Sequence, residues 1–114
     1  MTPAEIVAVF AAEFGTTPER VIAPKGRGRN HFSKIRWAVA VFLAERFAAR
    51  FPSDSRLQGL NHAARTLGMH HTSIMHGRDC YAALMETDPH YRRKVLLARR
   101  VVESKELATR TCTG

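Results

Sequence analysis

A chain of 114 residues, 45% of them hydrophobic, fits a single domain with a real core. Its longest apolar stretch, Trp37 to Ala44, is far too short to span a bilayer. Two cysteines, Cys80 and Cys112, exclude a disulfide framework and point to a reducing cytoplasm. A net charge of +8 and a pI near 10.5 call for an anionic partner. Nucleic acid suits that charge better than membrane, because no segment is a basic amphipathic helix with an aromatic apolar face.

Thr2-Pro3-Ala4-Glu5 is a capping box with proline at the first helical position, and Glu5 sits where a signal peptide would carry its basic region. Ile6, Val9, Phe10 and Phe14 then recur at helical spacing until Gly15 stops the helix. Thr17-Pro18-Glu19 opens a very short second helix that carries Val21 and Ile22. From Ala23 to Ser33 the pattern collapses into a glycine-punctuated basic loop. A long helix follows, roughly Ser33 to Arg50, apolar on nearly all sides between Trp37 and Ala44, so it is expected to be the central buried helix.

Phe51-Pro52-Ser53-Asp54 breaks that helix, and Ser55-Arg56-Leu57-Gln58 is a second capping box. The next helix turns Leu57, Leu60, Ala64 and Leu67 inward. Gly68 can take the left-handed conformation that ends it. Another helix is expected from about His71 to Met85, with Ile74, Gly77, Tyr81 and Leu84 inward. Asp88-Pro89 starts a last helix, whose apolar members are Tyr91, Val95, Leu96, Val102 and Leu107, and 109–114 should fray. No strand pattern, repeat or low-complexity segment is present.

Two constellations point to nucleic acid. Lys25, Arg27, Arg29, Lys34 and Arg36 lie within twelve residues that contain no acid, and the Gly-Arg-Gly-Arg alternation gives an arm suited to phosphates or a narrow minor groove. The segment Leu67 to Gly77 reads as the turn and first residues of a helix-turn-helix, with Thr72, Ser73, His76 and Cys80 on one stripe. Hydroxyls there can donate or accept, the Thr72 methyl can meet a thymine methyl, and His76 can donate to a base or a phosphate. Arg92, Arg93, Lys94, Arg99 and Arg100 give the last helix a basic side, read either as further phosphate contacts or as a solvated face.

His70, His71 and His76 cluster in sequence, and His76 with Cys80 is an i, i+4 pair. A zinc site needs three or four ligands in a defined geometry, and no Cys-x-x-Cys or His-Glu-x-x-His supports one, so no metal is assigned. No phosphate-binding loop or paired catalytic acid is present either, so no enzyme activity and no cofactor is assigned.

The order of short helix, basic loop, long apolar helix and helix-turn-helix, with His71-Thr72-Ser73-Ile74-Met75-His76 opening its second helix, resembles the C-terminal DNA-binding domain of the bacterial replication initiator DnaA. That domain is a Trp-repressor-like all-helical fold, and the resemblance covers roughly Ile6 to Leu84. It implies that His71, Thr72, Ser73 and His76 face the major groove and adjoining phosphates. It also implies that Arg27 or Arg29 enters the minor groove, and that Arg36 lies near a DNA-contacting arginine. Where the family usually has Gly-Gly-Arg-Asp, this chain has Leu67-Gly68-Met69-His70, so the family's DNA box is not carried over. Trp37 stands where the family commonly has a polar residue, and Cys80 where it often has a basic one.

The expected protein is therefore an all-α helical bundle with a DnaA-like helix-turn-helix domain over 1–108 and a frayed tail over 109–114. Its partner is double-stranded DNA, contacted by Lys25, Arg27, Arg29, Lys34, Arg36, His70, His71, Thr72, Ser73 and His76. The setting expected is a bacterial or phage cytoplasm, at the nucleoid, with no membrane partner. No ATPase module is read within these residues, so the expected mode of action is occupancy. The roles are a stand-alone replication-origin binder, or a regulator that competes with or recruits an initiator or other replication protein. The alternative is a helix-turn-helix transcription regulator.

Overall fold

Thr2 and Glu5 close the first helix reciprocally. The Thr2 hydroxyl accepts from the Glu5 amide at 3.2 Å, and the Thr2 amide donates to Glu5 Oε1 at 3.1 Å. These bonds open α1 (Pro3–Glu13) in a computed structural model that describes the backbone of residues 1–22, 33–51, 56–68 and 71–113, with the side chains of Arg56, Leu57, His71 and 109–113 also left undescribed. At the other end the Thr16 amide reaches Ala11 O at 2.8 Å and the Gly15 amide reaches Ala12 O at 3.1 Å. This pairing satisfies carbonyls that would otherwise be stranded at the helix end.

The remaining helices are α2 (Pro18–Val21), α3 (Ser33–Arg50), α4 (Arg56–Leu67), α5 (His71–Thr87) and α6 (Pro89–Thr113). The described residues are therefore all-helical, as expected, with no strand among them. No helix among them is long and apolar enough to cross a membrane.

The long helix α3 is the hub. It packs against α1, α2, α4 and α5, while α6 lies across α1 and α5. Ala38, Val39, Ala40, Val41, Phe42 and Leu43 are all buried, which matches its uniformly apolar sequence. Phe10 of α1 meets Phe42 edge-on at 5.5 Å between centroids, and burying a side chain of that size contributes about 1.5–3 kcal/mol. Small residues bring α4 close to α3, since a Cβ on Gly59 would stand 3.1 Å from Ala44 O. Leu60, Ala63, Ala64 and Leu67 complete the buried side of α4.

Of the apolar members of α6, Leu96 is 52% exposed and Leu107 65% exposed, whereas Ala98 is buried. The buried stripe runs Tyr91, Val95, Ala98, Val102. At about 100° per residue, Leu96 and Leu107 fall on the far side of that stripe. The helix also continues to Thr113, past the point where fraying is expected. The second capping box begins at Ser55, and Ser55 and the Leu57 side chain lie outside the described residues.

Candidate nucleic-acid interface

Gly68 ends α4 with φ +66°, the left-handed conformation anticipated for it and open to glycine because no Cβ clashes there. The chain enters α5 at His71. Ile74 is 1% exposed and Gly77 is buried, so they fix which way the helix faces. Thr72, Ser73 and His76 consequently lie on its exposed side, as their spacing indicates. Tyr81, Leu84 and Met85 pack half-buried against the core.

Among the exposed α5 residues that the sequence reading did not single out, Met75 and Asp79 carry groups that can contact bases. Met75 is 41% exposed, and Asp79 is exposed one turn beyond it. Asp79 is seven residues beyond Thr72, close to two full turns, so it shares that residue's side of the helix. A carboxylate there can accept from a cytosine amino group, and an apolar side chain can meet a thymine methyl. An aliphatic or acidic residue on a helix surface carries no signal of its own until the buried side is known.

Trp37 of α3 supports this surface from beneath. Its indole lies against the Gly77 backbone and meets the His76 ring edge-on at 6.4 Å. His76 Nε2 is 3.5 Å from Cys80 Sγ. Two donors fall short of the three or four a zinc site requires, and no group of three His, Cys, Asp or Glu suited to a metal occurs among the described residues. The other members of the sequence cluster, His70 and the His71 side chain, lie outside the described residues, as do Lys25, Arg27 and Arg29.

The basic cluster divides where it enters α3. Lys34 is exposed, and its carbonyl accepts from the Tyr91 hydroxyl at 2.6 Å, which ties the head of α3 to α6. Arg36 corrects the sequence reading. It is only 3% exposed, and its guanidinium donates to Val21 O at 3.4 Å and to Ser33 Oγ at 3.2 Å. A buried guanidinium spending its donors on the fold is unavailable to a phosphate. Arg36 is the joint between α2 and α3.

Much of the basic side of α6 also serves packing. Arg92 donates to Met85 O at 3.2 Å, at the end of α5. Lys94 lies over the Phe14 ring at 5.6 Å. Arg99 bonds to Glu45 at 3.0 Å and to the Tyr81 hydroxyl at 3.0 Å, and it covers the Phe42 ring. Burial pushes the Tyr81 phenol above its ordinary range, an effect that the Arg99 charge opposes. Tyr91 is raised much further, again chiefly by burial.

The site thus presents hydroxyl, imidazole, carboxylate and thioether groups on one rigid helix, with Lys34 at the head of the neighbouring one. No protein-family model, curated protein or solved structure matches the chain.

Proposed function

We propose that this protein binds duplex DNA sequence-specifically, with the first turns of α5 in the major groove and the Lys25-to-Lys34 segment along the phosphates. The observation that carries the reading is the joint exposure of Thr72, Ser73 and His76 on a helix whose other side, Ile74 and Gly77, is locked into the core. Side chains that read bases must be held still relative to the backbone contacts that set register. A net charge of +8 supplies the sequence-independent attraction. Thr72, Ser73 and His76, joined by Asp79, then discriminate among base edges. The biological role we propose is occupancy of a replication origin or regulation of replication initiation, in line with the DnaA resemblance of the His71-to-His76 segment.

Selection of bound duplexes from a random pool tests both levels. Enrichment of an asymmetric site supports the origin reading. Enrichment of a palindrome supports a dimeric transcription regulator, because half-site symmetry mirrors protein symmetry. A pool that stays random after several rounds removes the sequence-specific reading.

A further inference from the structure

A pocket of about 330 Å³ opens between the α1–α2 turn, the head of α3 and the start of α6. Its walls are Phe14, Gly15, Thr16, Arg20, Lys34, Ile35 and Tyr91. Two of these carry positive charge and none carries a carboxylate. Arg20 and Lys34 are both exposed, and neither is engaged in an ion pair among the described residues. Thr16 adds a hydroxyl whose oxygen is buried and has no hydrogen-bond partner among them. A buried hydroxyl left unpaired costs free energy, so the wall holds an unmet need for a polar ligand atom.

The frame around this pocket is fixed from three sides. The Arg36 guanidinium holds Val21 O, which sets the end of α2 against α3. The Tyr91 hydroxyl holds Lys34 O, which sets the head of α3 against α6. The Thr16 amide is anchored on Ala11 O. The backbone positions that carry the two cations are thereby set at one opening before any ligand arrives, so binding has only their side chains to order. Lys34 also lies one turn before Trp37, which touches Gly77 and His76 of α5.

We propose that this pocket is a phosphate-group site, in which Arg20 and Lys34 clasp the anionic oxygens beside the unpaired Thr16 hydroxyl. Lys34 belongs to the acid-free basic segment that follows the duplex backbone in the DNA reading, so the occupant we assign is a backbone phosphate of the bound duplex. That assignment rests on the DNA reading above, whereas the phosphate chemistry of the pocket does not. A free phosphate is the other source of the same chemistry.

The test uses the full chain and the double variant Arg20→Gln with Lys34→Gln, with melting temperature as a check on folding. Both side chains are exposed, so the variant should melt as the wild type does. For a random-sequence duplex at low salt, the variant should lose about tenfold in affinity, and its log-log salt slope should shrink by about one, the value for one phosphate. In the second arm, inorganic phosphate is titrated into the wild type and followed by amide NMR. Shifts at Gly15, Thr16 and Lys34 that vanish in the variant support the phosphate site from a free source, even if no duplex binds. A folded variant that binds duplex as tightly as the wild type, together with no phosphate-dependent shifts at those residues in the wild type, overturns the proposal and leaves the DNA reading standing. A wild type that binds phosphate there but no duplex at all sinks the DNA reading and leaves the pocket.

Discussion

A Cβ on Gly77 would fall 2.1 Å from Cδ1 of Trp37, so α5 crosses α3 at a point where only a bare backbone fits under the indole. Gly77 is helical, and alanine in its place would ordinarily gain about 1 kcal/mol of helix propensity. Here the clash decides the sign. The atoms met belong to the near edge of the ring system, so the whole indole must move. Gly77→Ala should cost about 1–3 kcal/mol in net stability, the range for overpacking. Thermal melts should show this as a fall of several degrees, and combining it with Trp37→Leu should recover part of the loss. A Gly77→Ala protein that melts at or above the wild type would refute the contact.

Arg36→Ala should unfold the protein more easily rather than weaken DNA binding directly. The guanidinium donates to Val21 O and Ser33 Oγ from a buried position, and loss of a hydrogen bond from a charged donor costs about 1.5–3 kcal/mol. Chemical denaturation should show a lower midpoint. Affinity per folded molecule should change little compared with Lys34→Ala.

Tyr91 makes stability depend on alkaline pH. Burial raises its folded-state pKa above the ordinary value near 10, so the unfolded chain loses the phenolic proton first. Its contribution is therefore complete below about pH 10 and is lost as pH climbs through the folded-state value. Tyr91→Phe should lower stability at neutral pH by about 0.5–1.5 kcal/mol, through loss of the bond to Lys34 O. It should also flatten the decline of melting temperature above pH 10. Tyr81, also raised, will leave a smaller residual slope.

Base reading and phosphate contact separate under mutation. Thr72→Ala should cost about 1–3 kcal/mol on the selected duplex and almost nothing on random duplex, if Thr72 reads a base edge. Equal losses on both duplexes, measured by fluorescence anisotropy, would mean that α5 does not discriminate sequence.

Salt dependence measures the electrostatic share. With Arg36 buried, Lys25, Arg27, Arg29 and Lys34 remain as cations of the acid-free segment. Neutralising roughly four phosphates gives a log-log salt slope of about −3.5 to −4. A slope near zero would take away the phosphate-binding role of this segment.

What the sequence by itself determined is local. The Thr2–Glu5 box, the stop at Gly15, the left-handed Gly68 and the bounds of α3 all follow from backbone sterics and hydrogen bonding within a few residues, where no distant partner has a vote. The inward side of α5 was legible for a related reason, because Ile74, Gly77, Tyr81 and Leu84 leave the helix only one apolar stripe to bury. Tertiary structure decided the rest. Arg36 reads as one more cation in a basic run until α2 arrives to offer it the Val21 carbonyl. Leu96 and Leu107 cannot be told from the other apolar members of α6 until that helix settles with Tyr91, Val95, Ala98 and Val102 against its neighbours. The fit of Trp37 on Gly77 and the bond from Tyr91 to Lys34 join residues 40 and 57 positions apart. Burial of a side chain is a property of what packs over it, and for these residues the covering element comes from elsewhere in the chain.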